Sequence, residues 1–68
     1  MSKIFSERLK YLRDEKGLSQ SALAKEIGAS QKAIDFWEKG INEPKIVYVT
    51  NICKFFDVSP NWILGFED

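Results

Sequence analysis

The residues able to do selective chemistry in this chain are concentrated in one short stretch. Ser30, Gln31 and Lys32 stand together, and Asp35 and Phe36 follow about one helical turn later. A glutamine amide presents a donor and an acceptor side by side and can pair bidentately with adenine. A lysine ammonium matches the acceptors of guanine, an aspartate can accept from the amino group of cytosine, and an aromatic ring can pack on a thymine methyl. Gln20 opens the preceding segment, where an amide and the free N–H groups of a helix start can reach a phosphate. Each residue also has a plainer reading. Gln31 and Lys32 suit a merely solvated helix face, and Phe36 suits local packing. Asp35 suits an ion pair with Lys32 before it or Lys39 after it.

Catalytic chemistry has no comparable foothold. The chain has no histidine and one cysteine, Cys53. That excludes a Cys/His zinc site, a disulfide framework and any mechanism built on imidazole. No nucleophile–base pair, metal cluster or phosphate-cradling loop is apparent. An enzyme is not expected, nor a metal, a cofactor or a small-molecule ligand. Cys53 reads as a small buried apolar residue.

The positioning elements are legible as five short helices. The first is predicted from about Lys3 to Lys16, with Ile4 or Phe5, Leu9 and Leu12 at helical spacing and Gly17 as a stop. The second runs from Gln20 to Ile27, with Ser19 as N-cap, Leu23, Ala24 and Ile27 as its apolar stripe, and Gly28 at its end. The third runs from Gln31 to Lys39, capped by Ser30, with Ala33, Ile34 and Trp37 facing inward and Gly40 as terminator. Pro44 can open the fourth, about Lys45 to Phe56, whose inner face holds Ile46, Val49, Ile52, Cys53 and Phe56. In the fifth, Ser59 caps, Pro60 takes the first turn, and Trp62, Ile63 and Leu64 follow before Gly65. Only Gly28-Ala29-Ser30 separates the second helix from the third. So short a link forces a steep crossing, the helix-turn-helix geometry, at about residues 20–39. In that geometry the second helix of the pair enters the major groove with its N-terminal residues leading. Those residues are the ones singled out above.

At 68 residues the chain is a single domain, 1–68. Apolar residues make up 44% and charged residues 29%, an ordinary globular balance. No apolar run is long enough to span a membrane, and the N-terminus lacks an apolar signal core. A soluble, cytoplasmic protein is expected. Net charge is zero, which is unusual for a chain that meets nucleic acid. The distribution is uneven, however. Residues 1–34 carry seven bases and four acids, whereas residues 35–68 carry three bases and six acids.

Leu18-Ser19-Gln20, Leu23-Ala24, Ile27-Gly28, Ser30-Gln31, Ile34, Trp37-Glu38-Lys39-Gly40 and Pro44 resemble the lambda-repressor-like helix-turn-helix domain of the Xre/Cro type. The resemblance runs from about Phe5 to Gly65, and the order and every gap match. It implies an all-α, compact five-helix bundle that binds double-stranded operator DNA, usually as a homodimer on a near-palindromic site. By position, Gln31 and Lys32 match the base-reading residues, and Phe36 matches the next outward position, often polar in relatives. Gln20 matches the glutamine that supports phosphate contact. Lys39, Asn42 and Lys45 fall where the loop and the next helix start lie along the DNA backbone. Arg13 and Glu38 match a frequent structural ion pair between the first and third helices. Two features depart from the pattern. The loop from Gly40 to Pro44 is poor in positive charge, with Glu43 unfavourable to phosphate, and neutral net charge predicts weak non-specific binding.

The far end of the chain has apolar groups to spare. The family pattern assigns Val49, Ile52, Phe56, Val58 and Ile63 to the core, which leaves Phe55, Trp62 and Phe66 for a surface patch suited to self-association. The other reading folds Trp62 and Phe66 back over the core. The function expected is a sequence-specific transcriptional regulator, of the phage or bacterial repressor kind, acting by occupying promoter DNA. The alternative is a protein-interaction module of the same fold, antitoxin- or coactivator-like, with weak or no DNA binding of its own.

Overall fold

Three serines set where helices begin. Ser19 Oγ accepts from the Ala22 N–H at 3.0 Å, Ser30 Oγ from Ala33 at 3.1 Å, and Ser59 Oγ from Trp62 at 3.0 Å. Each satisfies a backbone donor that a helix start leaves without an intrahelical partner. In the computed structural model, which describes residues 3–68, the elements are α1 (Lys3–Glu15), α2 (Gln20–Ile27), α3 (Gln31–Lys39), α4 (Ile46–Phe56) and α5 (Pro60–Ile63). No strand occurs among the described residues.

The bundle closes around side chains from every helix. Phe5 and Leu9 of α1, Leu23 and Ile27 of α2, Ile34 and Trp37 of α3, Ile52 of α4 and Ile63 of α5 are buried in one cluster. Phe5 goes inward and Ile4 is exposed, which resolves the choice between them. Trp37 has a second support, because the buried Ser6 hydroxyl donates to its carbonyl at 2.6 Å. Its ring lies 5.4 Å from that of Tyr48, tilted by 45°, so α4 braces the C-terminal half of α3.

Two expectations need correction. Ile46 was placed on the inner face of α4 but is 77% exposed. It shares the helical phase of Val49 and Cys53, yet it occupies the first turn. Side chains of a helix lean toward its N-terminus, so Ile46 overhangs the start of α4, beyond the packed cluster. Pro44 does not open α4 either. It is buried, and Lys45 follows it as an N-cap with extended backbone and no side-chain cap hydrogen bond.

The turn between α2 and α3 depends on Gly28, whose φ of 75° lies in the left-handed region. Its N–H bonds back to the Ala24 carbonyl, and the following Ala29 N–H reaches the same carbonyl at 2.9 Å. No atom lies within 4 Å of where a Cβ would stand, so substitution is penalised by backbone conformation alone. Gly28→Ala is expected to cost about 1–2 kcal/mol, read as a lower urea midpoint at unchanged m-value. A steeper loss, or a changed m-value, would point to a clash or altered compactness that this open position does not provide.

Candidate nucleic-acid interface

The base of the candidate interface is an ion pair between the first and third helices. Arg13 Nε donates to Glu38 Oε2 at 2.7 Å, and Nη2 donates to Oε1 at 3.0 Å. The two side chains are 11% and 5% exposed. This fork-to-fork arrangement fixes direction as well as distance. Arg13 Nη1 also donates to the Leu18 carbonyl at 2.8 Å, which ties the turn after α1 to the same group. The guanidinium is pushed further up from its already high value, first by the hydrogen bond to Glu38, so it stays charged at any ordinary pH.

From Glu38 a hydrogen-bonded ladder leads to the surface. Gln20, half-buried at the start of α2, donates from Nε2 to Glu38 Oε1 at 3.1 Å and to Asp35 Oδ1 at 3.3 Å. Its carbonyl accepts from Gln31 Nε2 at 2.6 Å. Both amide hydrogens and one lone pair of Gln20 are thereby engaged. The consequence reaches Gln31, which is exposed at the first position of α3. One of its N–H groups is spent on Gln20. The second N–H and the carbonyl remain as an adjacent donor and acceptor, which is the pattern that matches the adenine edge. The ladder also decides which way round that amide sits.

The other residues singled out from sequence divide into three groups. Ser30, Lys32, Lys39, Asn42 and Lys45 are exposed around the start of α3 and along the loop into α4. The Ser30 oxygen already accepts a capping bond, which leaves its O–H to donate. Asp35 is turned to structural use. Of the two ion pairs open to it, the one formed is with Lys39 Nζ, at 2.9 Å. That hydrogen bond first, and the one from Gln20 second, hold its carboxyl below the usual 3.8. Phe36 is half-buried, with the Lys32 ammonium 5.4 Å from its ring centroid.

The C-terminal aromatics do not form one bare patch. Phe55 is half-buried, edge-on to Phe56 at 5.0 Å, with the Lys16 ammonium 5.1 Å from its ring. Trp62 is half-buried against the core, and the Arg8 guanidinium stands 4.7 Å from its ring. Phe66 alone of the three is open, at 80% exposure. Arg8 is a residue that sequence reasoning passed over. Its Nη1 donates to the carbonyls of Trp62 and, at 2.8 Å, of Glu67, clasping the end of the chain to α1. In sequence it is simply one more base on a helix, and nothing in its spacing marks it out.

Among the described residues no cluster of His, Cys, Asp or Glu is placed to hold a metal. Cys53 is buried, and burial pushes its thiol up, the reverse of what a reactive thiolate requires. No helix among the described residues is long and apolar enough to cross a membrane.

Comparison with known proteins places this geometry. Residues 9–63 match the helix-turn-helix family model HTH_3. The chain is similar to the transcriptional activator BcrR of Enterococcus faecalis, 38% identical over 64 residues, covering 94% of this chain and 31% of the activator. It is also similar to the transcriptional regulator MJ0272 of Methanocaldococcus jannaschii, 39% identical over 61 residues, covering 90% of this chain and 92% of that protein. It thus spans about a third of one curated relative and nearly all of another. Among solved structures it resembles the P22 c2 repressor in complex with a synthetic operator, with a TM-score of 0.83 and 30% identity over 87% of this chain and 89% of that one.

Two outcomes follow from the polar ladder. Arg13→Met is expected to cost about 3–5 kcal/mol, because it strands a buried carboxylate. Arg13→Met with Glu38→Met should cost clearly less than the two single changes added together, in a double-mutant cycle by urea denaturation; simple additivity would show that the pair is not coupled. Asp35 gives a pH test. Its folded value is depressed, so its contribution is present above its unfolded value and is lost as pH falls through the folded one. Asp35→Asn should therefore flatten the acid limb of stability against pH, and an unchanged acid limb would contradict the bonds to Lys39 and Gln20.

Proposed function

The chain belongs to the lambda-repressor-like helix-turn-helix family, and from that premise we propose that it is a sequence-specific DNA-binding transcriptional regulator with residues 1–68 acting as one DNA-binding domain. The observation that carries the reading is the ladder Arg13–Glu38–Gln20–Gln31, which ends in an outward amide whose donor and acceptor are already ordered. A freely solvated glutamine needs no such support. Pre-orientation lowers the entropy lost when the amide meets a base.

In this reading α3 lies in the major groove with its N-terminus leading. Gln31 pairs with adenine, while Lys32, Phe36 and the Ser30 hydroxyl face the same groove. Lys39, Asn42 and Lys45 run along the phosphates, and Asp35 and Gln20 hold the reading side chains in place. The protein acts as a homodimer on a near-palindromic operator. Two copies meet through the C-terminal end, with Phe66 as the open apolar group and Phe55 and Trp62 adding their accessible parts. Promoter occupancy is then the regulatory act. The similarity to a repressor described in complex with operator DNA supports this reading.

The test is selection of random duplex DNA by the purified protein. An enriched inverted repeat with half-sites about 34–36 Å apart is expected, one turn of the double helix. Gln31→Ala should then relax one base position and cost about 1–3 kcal/mol on the preferred site. Equal losses on preferred and random duplexes would remove the base-reading role from Gln31. No enrichment even at low salt would favour the protein-interaction alternative.

A further inference from the structure

Phe66 is 80% exposed, yet the chain on both sides of it is tied down. Its own N–H donates to the Asn61 carbonyl at 2.8 Å, and the Gly65 N–H donates to the Trp62 carbonyl at 3.1 Å. After the ring, the Glu67 carbonyl accepts from Arg8 Nη1 at 2.8 Å, and Glu67 Oε1 accepts from the Ser59 hydroxyl at 2.6 Å. Arg8 is itself seated over the Trp62 ring and bonded to the Trp62 carbonyl, so one guanidinium grips α5 and the tail together. Exposing a large apolar ring gains nothing for a folded monomer. A ring on a free tail loses that freedom when it is covered, and a ring whose main chain is already fixed loses less. Next to it lies an apolar surface. A Cβ added at Gly65 would stand 3.1 Å from Ile4 Cγ2, so Ile4, 42% exposed, lies against the tail. Ile4 and Arg8 share one face of α1, four residues apart, and the half-buried Trp62 sits against Arg8.

We propose that two copies of the chain join by exchanging Phe66. The ring of each packs on Ile4 and the accessible part of Trp62 of the other, and Arg8 is the positioning residue that presents the ring. This inference rests on the homodimer proposed above and adds to it a receiving surface on α1 and the residue that orders the contact. The occupant is a second copy because the face is its own complement. In a two-fold contact each patch appears twice, so a ring and the apolar surface beside it are both satisfied by one rotation. Charges of both signs flank the ring, Arg8 on α1 and Glu67 and Asp68 after it, so the rotation sets opposite charges facing each other at the rim. Phe55 belongs to the edge of this contact. Its ring is beside Lys16, which follows Arg8 by about 12 Å along the axis of α1.

Self-association of the purified chain is measured by sedimentation equilibrium over a range of concentrations, with urea denaturation beside it. Phe66→Ala should weaken the dimer about tenfold or more, because the change counts twice in a two-fold contact, and should leave the urea midpoint unchanged. Ile4→Ala should also weaken the dimer, and Phe55→Ala should matter less than either. Arg8→Met should lower dimer affinity about fivefold, the worth of ordering one side chain in each copy. In dilute, monomeric solution it should also hasten amide exchange at Phe66 more than at Ile34. Arg8→Lys still donates to a carbonyl and should restore part of both effects. An Arg8→Met chain with a lower urea midpoint but wild-type affinity overturns the positioning role. If Arg8→Met does not fold, Arg8→Lys decides the same point by an intermediate affinity or an unchanged one. Wild-type affinity in Phe66→Ala overturns the exchange of rings and leaves the homodimer standing. A wild-type chain that stays monomeric at every concentration overturns the homodimer, and this inference with it.

Discussion

The bidentate contact between Arg13 and Glu38 is the constraint on which the rest of the surface depends. It joins the end of α1 to the end of α3 in a largely buried position. Such a pair is a poor source of net stability, since the attraction has first to offset the desolvation of two ions. What it supplies is direction. The Arg13 fork aims one Glu38 oxygen at Gln20, Gln20 turns its carbonyl toward Gln31, and the order of the outward donor and acceptor follows from that. Hydrophobic packing could hold α3 against the bundle, but it is non-directional and could not choose the orientation of an amide on the far side of it.

The helices themselves are too short to provide this. α2 has 8 residues and α3 has 9, below the roughly 12–15 at which an isolated helix becomes even marginal in water. Each exists because its ends are satisfied and one face is covered. Ser19 and Ser30 close the starts, Gly28 and Gly40 close the ends in left-handed geometry, and Leu23, Ile27, Ile34 and Trp37 fill the space between. The proposed reading surface is therefore a property of the whole bundle. Even the clasp at the far end has a bearing on it, because Arg8 secures the last turns onto α1, and α1 carries Arg13.

Much of this was legible before any coordinates. Helix ends were marked by Ser and Gly at fixed gaps, and the apolar residues recurred at helical period, so the elements and most of the core could be read directly. The Arg13–Glu38 link came from a resemblance, since no local pattern joins residues so far apart in sequence. Three things stayed hidden for physical reasons. Periodicity assigns Ile46 to the inner face of α4 because it cannot see where the neighbouring helices stop. Arg8 binds main-chain carbonyls, and a carbonyl has no sequence signature. Gln20 was read by its own chemistry as a residue that can reach a phosphate, and its bonds to Glu38, Asp35 and Gln31 add a supporting role that its sequence position does not show. Caps and cores are local or periodic, but a polar ladder is neither.

The neutral charge then takes on a different meaning. Affinity for DNA in general comes largely from released counterions, one for each phosphate neutralised. A chain with equal numbers of acids and bases is expected to gain little of this, and Lys39 already shares its charge with Asp35. A basic regulator spends much of its time on irrelevant sequence, held by contacts that every duplex offers. A neutral one gains little there, so a larger share of its binding free energy has to come from base edges and, in the proposed homodimer, from pairing two copies. The relevant quantity for a regulator is the ratio between its site and the many competing sites. That ratio improves when the common electrostatic contribution is small and the reading side chains are held ready. With Gln31 as the proposed base reader, its ordered amide and a low phosphate attraction serve the same end, since pre-orientation restores to the correct site part of the affinity that the missing charge withholds from all sites.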